Sequence, residues 1–248
     1  MTKSIICFGT RPELIKLAPL IWEIQKSDLL NHFIIVNTNQ HMHTMFEKAL
    51  GIKADYDLGT FSQNQSLSQL SAKISSKLDS LIQELTEKQQ SIDAIIAQGD
   101  TITTLISAQT AFFNQIPFFH VEAGLRSGLP LSPFPEECNR KIVSMISELH
   151  FVPSELEKEN LLSEGVANNK IEVVGNTIND ALKHFYNNDI KVERNAILIS
   201  IHRKANQNEN LKRILDQVVS LKKEYSHLNF IWLMHPAPYV TEMVSKYK

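Results

Sequence analysis

The chain has 248 residues, enough to bury a substantial core in one large or two modest domains. Its 43% hydrophobic and 21% charged composition is that of an ordinary globular protein. With 25 Lys+Arg against 27 Asp+Glu and a net charge of −2, nothing in the balance points to nucleic-acid or membrane-surface binding, and neither is expected.

The first apolar run, Ser4–Phe8, predicts a strand, and Glu13–Lys26 a helix. Thr10, Arg11 and Pro12 interrupt that run too early for a signal peptide. Phe33–Val36 is a second strand and His43–Leu50 a helix. Leu67, Leu70, Ile74, Leu78, Leu81, Ile82 and Leu85 recur at helical spacing and predict a long amphipathic helix over Ser66–Glu87. Strand Ala94–Ala97, helix Thr101–Phe113 and strand Pro117–Val121 follow, then a Gly/Pro/Ser-rich loop as far as Pro133. Pro135–Ser147 is a helix with proline at its first position. Strand Leu149–Val152, helix Glu155–Glu164, strand Ile171–Val174 and helix Thr177–Tyr186 complete the series.

Strands apolar on both faces and alternating with helices predict a parallel sheet covered on both sides. The polar stretch Asn187–Asn195 has no apolar period and is expected to link two domains. The boundary falls between residues 187 and 188. Strand Ala196–Ile201, helix Asn208–Tyr225, strand Phe230–Met234 and a helix start at Tyr239 form the second segment. Two strands and one and a half helices are too few for an independent α/β core. The segment is therefore expected to be the start of an incomplete second domain. Cys7 and Cys138 form no metal spacing and are expected to be buried, inert thiols. No apolar run approaches the roughly 18 residues of a membrane span, so a cytoplasmic protein is expected.

In a parallel α/β sheet, ligands sit where strand C-terminal ends meet helix N-termini. The first strand ends in Gly9-Thr10-Arg11-Pro12-Glu13, with Lys16 one turn further on. Arg11 offers a fork for phosphate or carboxylate, and Lys16 is placed to reach back to the same ligand. Equally, Pro12 and Glu13 suit an ordinary helix start. Ala94–Ala97 leads into Gln98-Gly99-Asp100-Thr101, which puts Asp100 at the N-cap of the next helix. Pro117–Val121 leads into Glu122-Ala123-Gly124-Leu125-Arg126, a carboxylate with no obvious local structural task. Glu136 and Arg140 stand at i,i+4, the spacing of a surface ion pair. Together, Asp100, Glu122 and Glu136 with Arg11, Lys16 and Arg140 are expected to converge on one sheet edge. Several acids in one cleft separate into acid and base roles, and the cations suit an anionic substrate. His202-Arg203 and His235-Pro236 end the two strands of the second segment, where basic groups would hold phosphates.

The run Phe8-Gly-Thr-Arg-Pro-Glu-Leu-Ile-Lys-Leu-Ala-Pro-Leu20 resembles the opening motif of the non-hydrolysing UDP-N-acetylglucosamine 2-epimerases. Further matches are Gln98-Gly-Asp-Thr101, His120-Val-Glu-Ala-Gly-Leu-Arg126, Ser132-Pro-Phe-Pro-Glu-Glu-Cys-Asn-Arg140, Gly175-Asn-Thr177 and His202-Arg203, in family order across essentially the whole chain. The resemblance implies an α/β, GT-B-like fold: two Rossmann-type domains with parallel sheets, the second incomplete here, and the substrate between them. It implies conversion of UDP-GlcNAc to UDP-ManNAc by elimination of UDP to a 2-acetamidoglucal and re-addition on the other face. It implies neither metal nor nicotinamide, and a homodimer. Asp100, Glu122 and Glu136 become its acid/base residues. Arg11, Lys16, Arg140, His202, Arg203 and His235 become its substrate-holding residues.

Three departures stand out. The family's C-terminal Asp-Ser-Gly-Gly-x-Gln-Glu-Glu segment is not in this sequence, which implies weakened grip on UDP and negligible turnover by these residues alone. The family's His-Arg-Arg-Glu-Asn is His202-Arg203-Lys204-Ala205-Asn206, and Gln40-His41 is followed by Met42-His43 where an arginine is common. Some bacterial members use the latter region for an activating second UDP-GlcNAc. Two alternatives remain: a hydrolysing epimerase, disfavoured by Arg11-Pro12-Glu13, and a non-catalytic remnant acting as a binding or oligomerising domain.

Overall fold

The computed structural model describes residues 2–39, 44–186, 195–201, 209–234 and 238–247. The chain forms two compact units, Met1–Tyr186 and Asn187–Lys248. In the first, strands β1 (Thr2–Phe8), β2 (Phe33–Asn37), β3 (Tyr56–Asp57), β4 (Ser91–Gln98), β5 (Phe118–Val121), β6 (Leu149–Val152) and β7 (Ile171–Val173) form one sheet. All its pairings are parallel and its order is β3-β2-β1-β4-β5-β6-β7. The helices between them are α1 (Arg11–Lys26), α2 (Thr44–Leu50), α3 (Leu67–Glu87), α4 (Ile102–Phe113), α5 (Glu136–Ile146) and α6 (Glu155–Ser163), with α7 (Ile178–Phe185) after β7.

The order explains the two faces. The chain runs outward from β1 to β3, then returns to place β4 on the other side of β1. Right-handed crossovers in opposite directions put their helices on opposite faces. Ile6, Phe8, Ile35 and Ile96 accordingly pack with Leu14, Leu17 and Ile21 of α1 and Leu50 of α2. Ile5, Cys7, Ile34, Ile95 and Phe118 pack with Leu78, Leu81, Ile82 and Leu85 of α3, Ala108 and Ala111 of α4, and Val143 of α5. Each central strand thus contributes alternate residues to two cores, which is why its sequence is apolar throughout. Burying side chains of this size stabilises by about 1.5–3 kcal/mol each, and the inner residues of β1 and α1 are essentially solvent-free. On the outer side of α1, Trp22 stacks on His184 of α7 with ring centroids 3.9 Å apart.

The second unit contains parallel strands β8 (Ala196–Ser200) and β9 (Asn229–Leu233) with helices α8 (Glu209–Glu224) and α9 (Pro238–Ser245). Leu211, Leu215 and Val240 are its buried cluster. Leu198, Ile231 and Leu233 are exposed.

Several sequence expectations are corrected. Tyr56–Asp57 is a strand although two residues carry no readable alternation. Pro135 is the N-cap of α5 rather than its first residue. Cys7 is buried, and burial pushes its thiol up to about 12, whereas Cys138 is exposed on the first turn of α5. Among the described residues, no helix is long and apolar enough to cross a membrane.

Candidate functional site

The reversal of strand order between β1 and β4 places the crevice outside the C-terminal ends of those two strands. Thr10 caps α1, its hydroxyl accepting the Glu13 N–H at 3.5 Å. Glu13 is buried and ties the two loops together. It accepts the Gly9 N–H at 3.0 Å and the Thr101 and Thr104 hydroxyls at 2.6 and 3.3 Å. Burial pushes its carboxyl above the usual range, against the pull of those hydrogen bonds.

Glu122 follows β5 with φ at +61°, a left-handed conformation that non-glycine residues adopt only at a cost of about 1–3 kcal/mol. Its carboxylate is surrounded by donors from three other segments. Lys16 Nζ of α1 lies 2.8 and 2.6 Å from its two oxygens. Asn176 Nδ2, after β7, donates at 2.7 Å, and Gln98 Nε2 at the end of β4 donates to the second oxygen. The Glu122 side chain is 9% exposed, so these donors replace most of its water.

A second cluster centres on Arg140. Its Nε and Nη2 reach Asp100 Oδ2 at 2.9 and 2.6 Å, and its Nη1 reaches Glu137 Oε2 at 3.1 Å. Asn139 Nδ2 donates to the Asp100 carbonyl at 2.7 Å, fixing the loop itself. Glu137 also accepts the Ser127 and Gly128 N–H groups at 3.0 and 3.4 Å. Burial pushes Glu137 up, but these donors and Arg140 outweigh it and hold the carboxyl below the usual range. The neighbouring Glu136 is different: among the described residues its buried Oε2 has no hydrogen-bond partner.

The placement alters several expectations. Asp100 is not the cap of α4; Thr101 is, accepting the Thr104 N–H at 3.3 Å, which leaves the Asp100 side chain for Arg140. Arg140 pairs with Glu137 at i,i+3 rather than with Glu136 at i,i+4. Lys16 is engaged by Glu122, and Arg11 opens α1 with its side chain exposed. His202, Arg203 and His235 lie outside the described residues. Sequence reasoning gave no site role to Gln98, Glu137, Asn139 or Asn176, and read Glu13 only as part of a helix start. All five stand inside motifs already singled out, but a polar residue beside a charged one gives no sign of which points inward. Among the described residues no group of three His, Cys, Asp or Glu side chains is arranged to hold a metal ion.

Chemically, the strand ends carry one carboxylate surrounded by donors and one tied to a guanidinium, and the start of α5 carries a third with a buried oxygen that has no partner among the described residues. That set suits proton transfer near an anionic leaving group, because acids in unlike surroundings divide the donating and accepting roles.

The family model for UDP-N-acetylglucosamine 2-epimerase matches residues 23–248. A UDP-N-acetylglucosamine 2-epimerase of Neisseria meningitidis serogroup A is 36% identical over 98% of this chain and 68% of its own length. One of Bacillus subtilis is 35% identical over 99% of this chain and 65% of its own. The chain thus spans about two thirds of the length of these relatives. Among solved structures, the Neisseria meningitidis enzyme bound to UDP-GlcNAc has a TM-score of 0.84 at 35% identity, covering all of this chain and 69% of that one. The S. aureus MnaA–UDP structure has a TM-score of 0.87 at 37% identity, covering 100% and 66%. The galactosyltransferase WaaB, at 16% identity and a TM-score of 0.51, shares the GT-B-type α/β fold alone.

Proposed function

Because this chain belongs to the UDP-N-acetylglucosamine 2-epimerase family, we propose that the protein interconverts UDP-GlcNAc and UDP-ManNAc. A carboxylate removes the C2 proton while the C1–O bond to UDP breaks, leaving UDP and a 2-acetamidoglucal. UDP then adds back at C1 as a proton is delivered to the opposite face of C2. The C2 proton is weakly acidic, so a base in a water-poor site and help for the departing diphosphate are both required.

The observation that carries this reading is the unequal condition of the three acids. Glu136 has a buried oxygen without a partner among the described residues and is read as the group open to a proton. Asp100, tied to Arg140, and Glu122, ringed by Lys16, Gln98 and Asn176, are read as the charged frame around the sugar. Arg11, Lys16 and Arg140, with His202, Arg203 and His235, are read as the groups that hold substrate. Residues 1–187 form the acid/base domain in this reading, and 188–248 belong to a nucleotide-binding domain. The reading calls for no metal or nicotinamide. It includes a cytoplasmic homodimer; the exposed Phe112, Phe113 and Met145 are the apolar surface to examine for it.

The test is proton NMR of the full-length protein with UDP-GlcNAc in D2O. The expected product is UDP-ManNAc carrying deuterium at C2. Free ManNAc and UDP as first products would replace this reading with a hydrolysing reaction, and unchanged substrate would leave a binding domain.

A further inference from the structure

The turn after β4 is held more tightly than a strand-to-helix turn requires. Gly99 has φ at +83°, and a glycine lets the peptide planes beside it rotate at little cost. Yet three successive carbonyls of this turn each accept a hydrogen bond from a side chain of a different element. Thr104 Oγ1 of α4 donates to the Gln98 carbonyl at 2.6 Å. His120 Nε2 of β5 donates to the Gly99 carbonyl at 2.7 Å, and Asn139 Nδ2 of α5 to the Asp100 carbonyl at 2.7 Å. The side chains of Gln98 and Asp100 in turn serve the clusters around Glu122 and Arg140.

His120 is the member that a packed core has least reason to keep. It is 1% exposed. A carbonyl can only accept, so Nε2 carries the ring hydrogen, and Nδ1 is left as an acceptor with no partner among the described residues. Burial pushes its pKa down to about 3, so the ring is neutral and keeps one N–H near neutral pH. An aliphatic side chain would fill the same space without a desolvated nitrogen. What the imidazole adds is one bond, to the peptide that joins Gly99 to Asp100. Rotation of that peptide would swing the Asp100 carboxylate away from Arg140, whose Nε and Nη2 lie 2.9 and 2.6 Å from Oδ2.

We propose that His120 is a positioning residue: through the Gly99 carbonyl it fixes the peptide ahead of Asp100, and with it the pairing of Asp100 with Arg140 in the reaction centre. The effect on turnover rests on the epimerase reading; the effect on the pairing does not.

The experiment compares three variants of the full-length protein. His120→Gln carries an amide nitrogen where Nε2 stands, His120→Asn carries one where Nδ1 stands, out of reach of Gly99, and His120→Leu has no donor. Two quantities are read: kcat and KM for UDP-GlcNAc, and the 1H–15N NMR signal of Arg140 Nε–H, assigned with Arg140→Lys. His120→Leu and His120→Asn are expected to shift the Arg140 signal and to lower kcat about 10²-fold, the loss that misplacement from a distance can cause, with KM changed by no more than about threefold. His120→Gln is expected to restore the wild-type signal and about tenfold or more of the lost kcat. An unmoved Arg140 signal in His120→Leu and His120→Asn, wild-type kcat in both, or His120→Gln no better than His120→Leu overturns the proposal. So does failure of all three variants to fold, which would make His120 a purely structural residue. A wild-type protein without turnover, whose Arg140 signal still moves in His120→Leu and returns in His120→Gln, would refute the epimerase reading and leave the positioning of Asp100 standing.

Discussion

Glu122 illustrates how one side chain depends on its neighbours' chemistry. Every partner it has among those described is a donor: Lys16, Gln98 and Asn176. Glu122→Gln keeps the shape but replaces one acceptor oxygen with an NH2 group, which then faces donors. In the full-length protein this substitution is expected to lower turnover by about 10²–10³-fold, the range for loss of one preorganised electrostatic group at a reacting centre. The melting temperature, followed by circular dichroism, should fall by only a few degrees, because Lys16 is partly solvated and recovers water. Turnover equal to wild type would remove Glu122 from the reaction. The same scale shows where reading the sequence stops. Positions 136 and 137 are identical residues, and helical spacing draws attention to Glu136 and Arg140. In the structure Glu137 turns inward to Arg140, Ser127 and Gly128, and Glu136 keeps a buried oxygen with no partner among the described residues.

At the scale of elements, the turn after β5 is constrained by packing as well as by conformation. Gly124 has φ at +84°, and a Cβ there would lie 2.4 Å from the Glu157 carbonyl oxygen of α6. Gly124→Ala therefore meets both a left-handed backbone and a rigid neighbour. It is expected to destabilise by at least about 2 kcal/mol, measured by urea unfolding; a change below about 0.5 kcal/mol would show that the turn relaxes freely. Ser66 caps α3 in a reciprocal arrangement, accepting the Gln69 N–H while the Gln69 side chain accepts its own. Ser66→Ala is expected to cost about 1 kcal/mol in the same assay without touching turnover. An equally stable variant would assign the helix start to its buried Leu70 and Ile74 instead. Elements of this kind were readable in advance. The long helix over 66–87 follows from apolar spacing and a serine start, and β1, β2 and β6 from short apolar runs. Tyr56–Asp57 was not readable, because its strand character comes from pairing with Val36–Asn37 and not from its own residues. Asp100 looked like a cap because aspartate favours that position; the adjacent Thr101 takes it instead.

Across the whole molecule, buried histidines set the response to acid. His120 and His150 are register neighbours on β5 and β6. Burial pushes them down to about 3 and about 4; the Gly99 carbonyl, 2.7 Å from His120 Nε2, opposes this only in part. Groups whose folded pKa lies below the unfolded value near 6.5 bind protons more readily when unfolded. Their contribution is fully present above about pH 6.5 and is lost as the pH falls toward 4, at up to about 1.4 kcal/mol per pH unit for each. Glu13 acts in the opposite sense, since its raised pKa makes protonation favour the folded state. Glu47 is raised in the same sense as Glu13. Glu137 and Glu164 are held low and lose stability on acidification together with the two histidines, which leaves a net loss. Urea unfolding at pH 7 and pH 4.5 should show lower stability at pH 4.5, and histidine C2–H NMR should find these two rings still neutral near pH 5. Rings that titrate near pH 6.5 in the folded protein would refute it.

The donor ring around Glu122 also has a meaning for assembly. Its members come from positions 16, 98, 122 and 176, and meet because β4 lies between β1 and β5 in one register. In a parallel sheet a slip of one residue turns each side chain to the opposite face, so a misaligned β4 would carry Gln98 away from the ring and strand a buried carboxylate. Hydrophobic contacts alone would tolerate such a slip, because β4 is apolar on both faces. The polar ring acts as a proofreading device: it rejects sheet alignments that the greasy interior would accept, and it closes only when the strand ends it joins are in their native order.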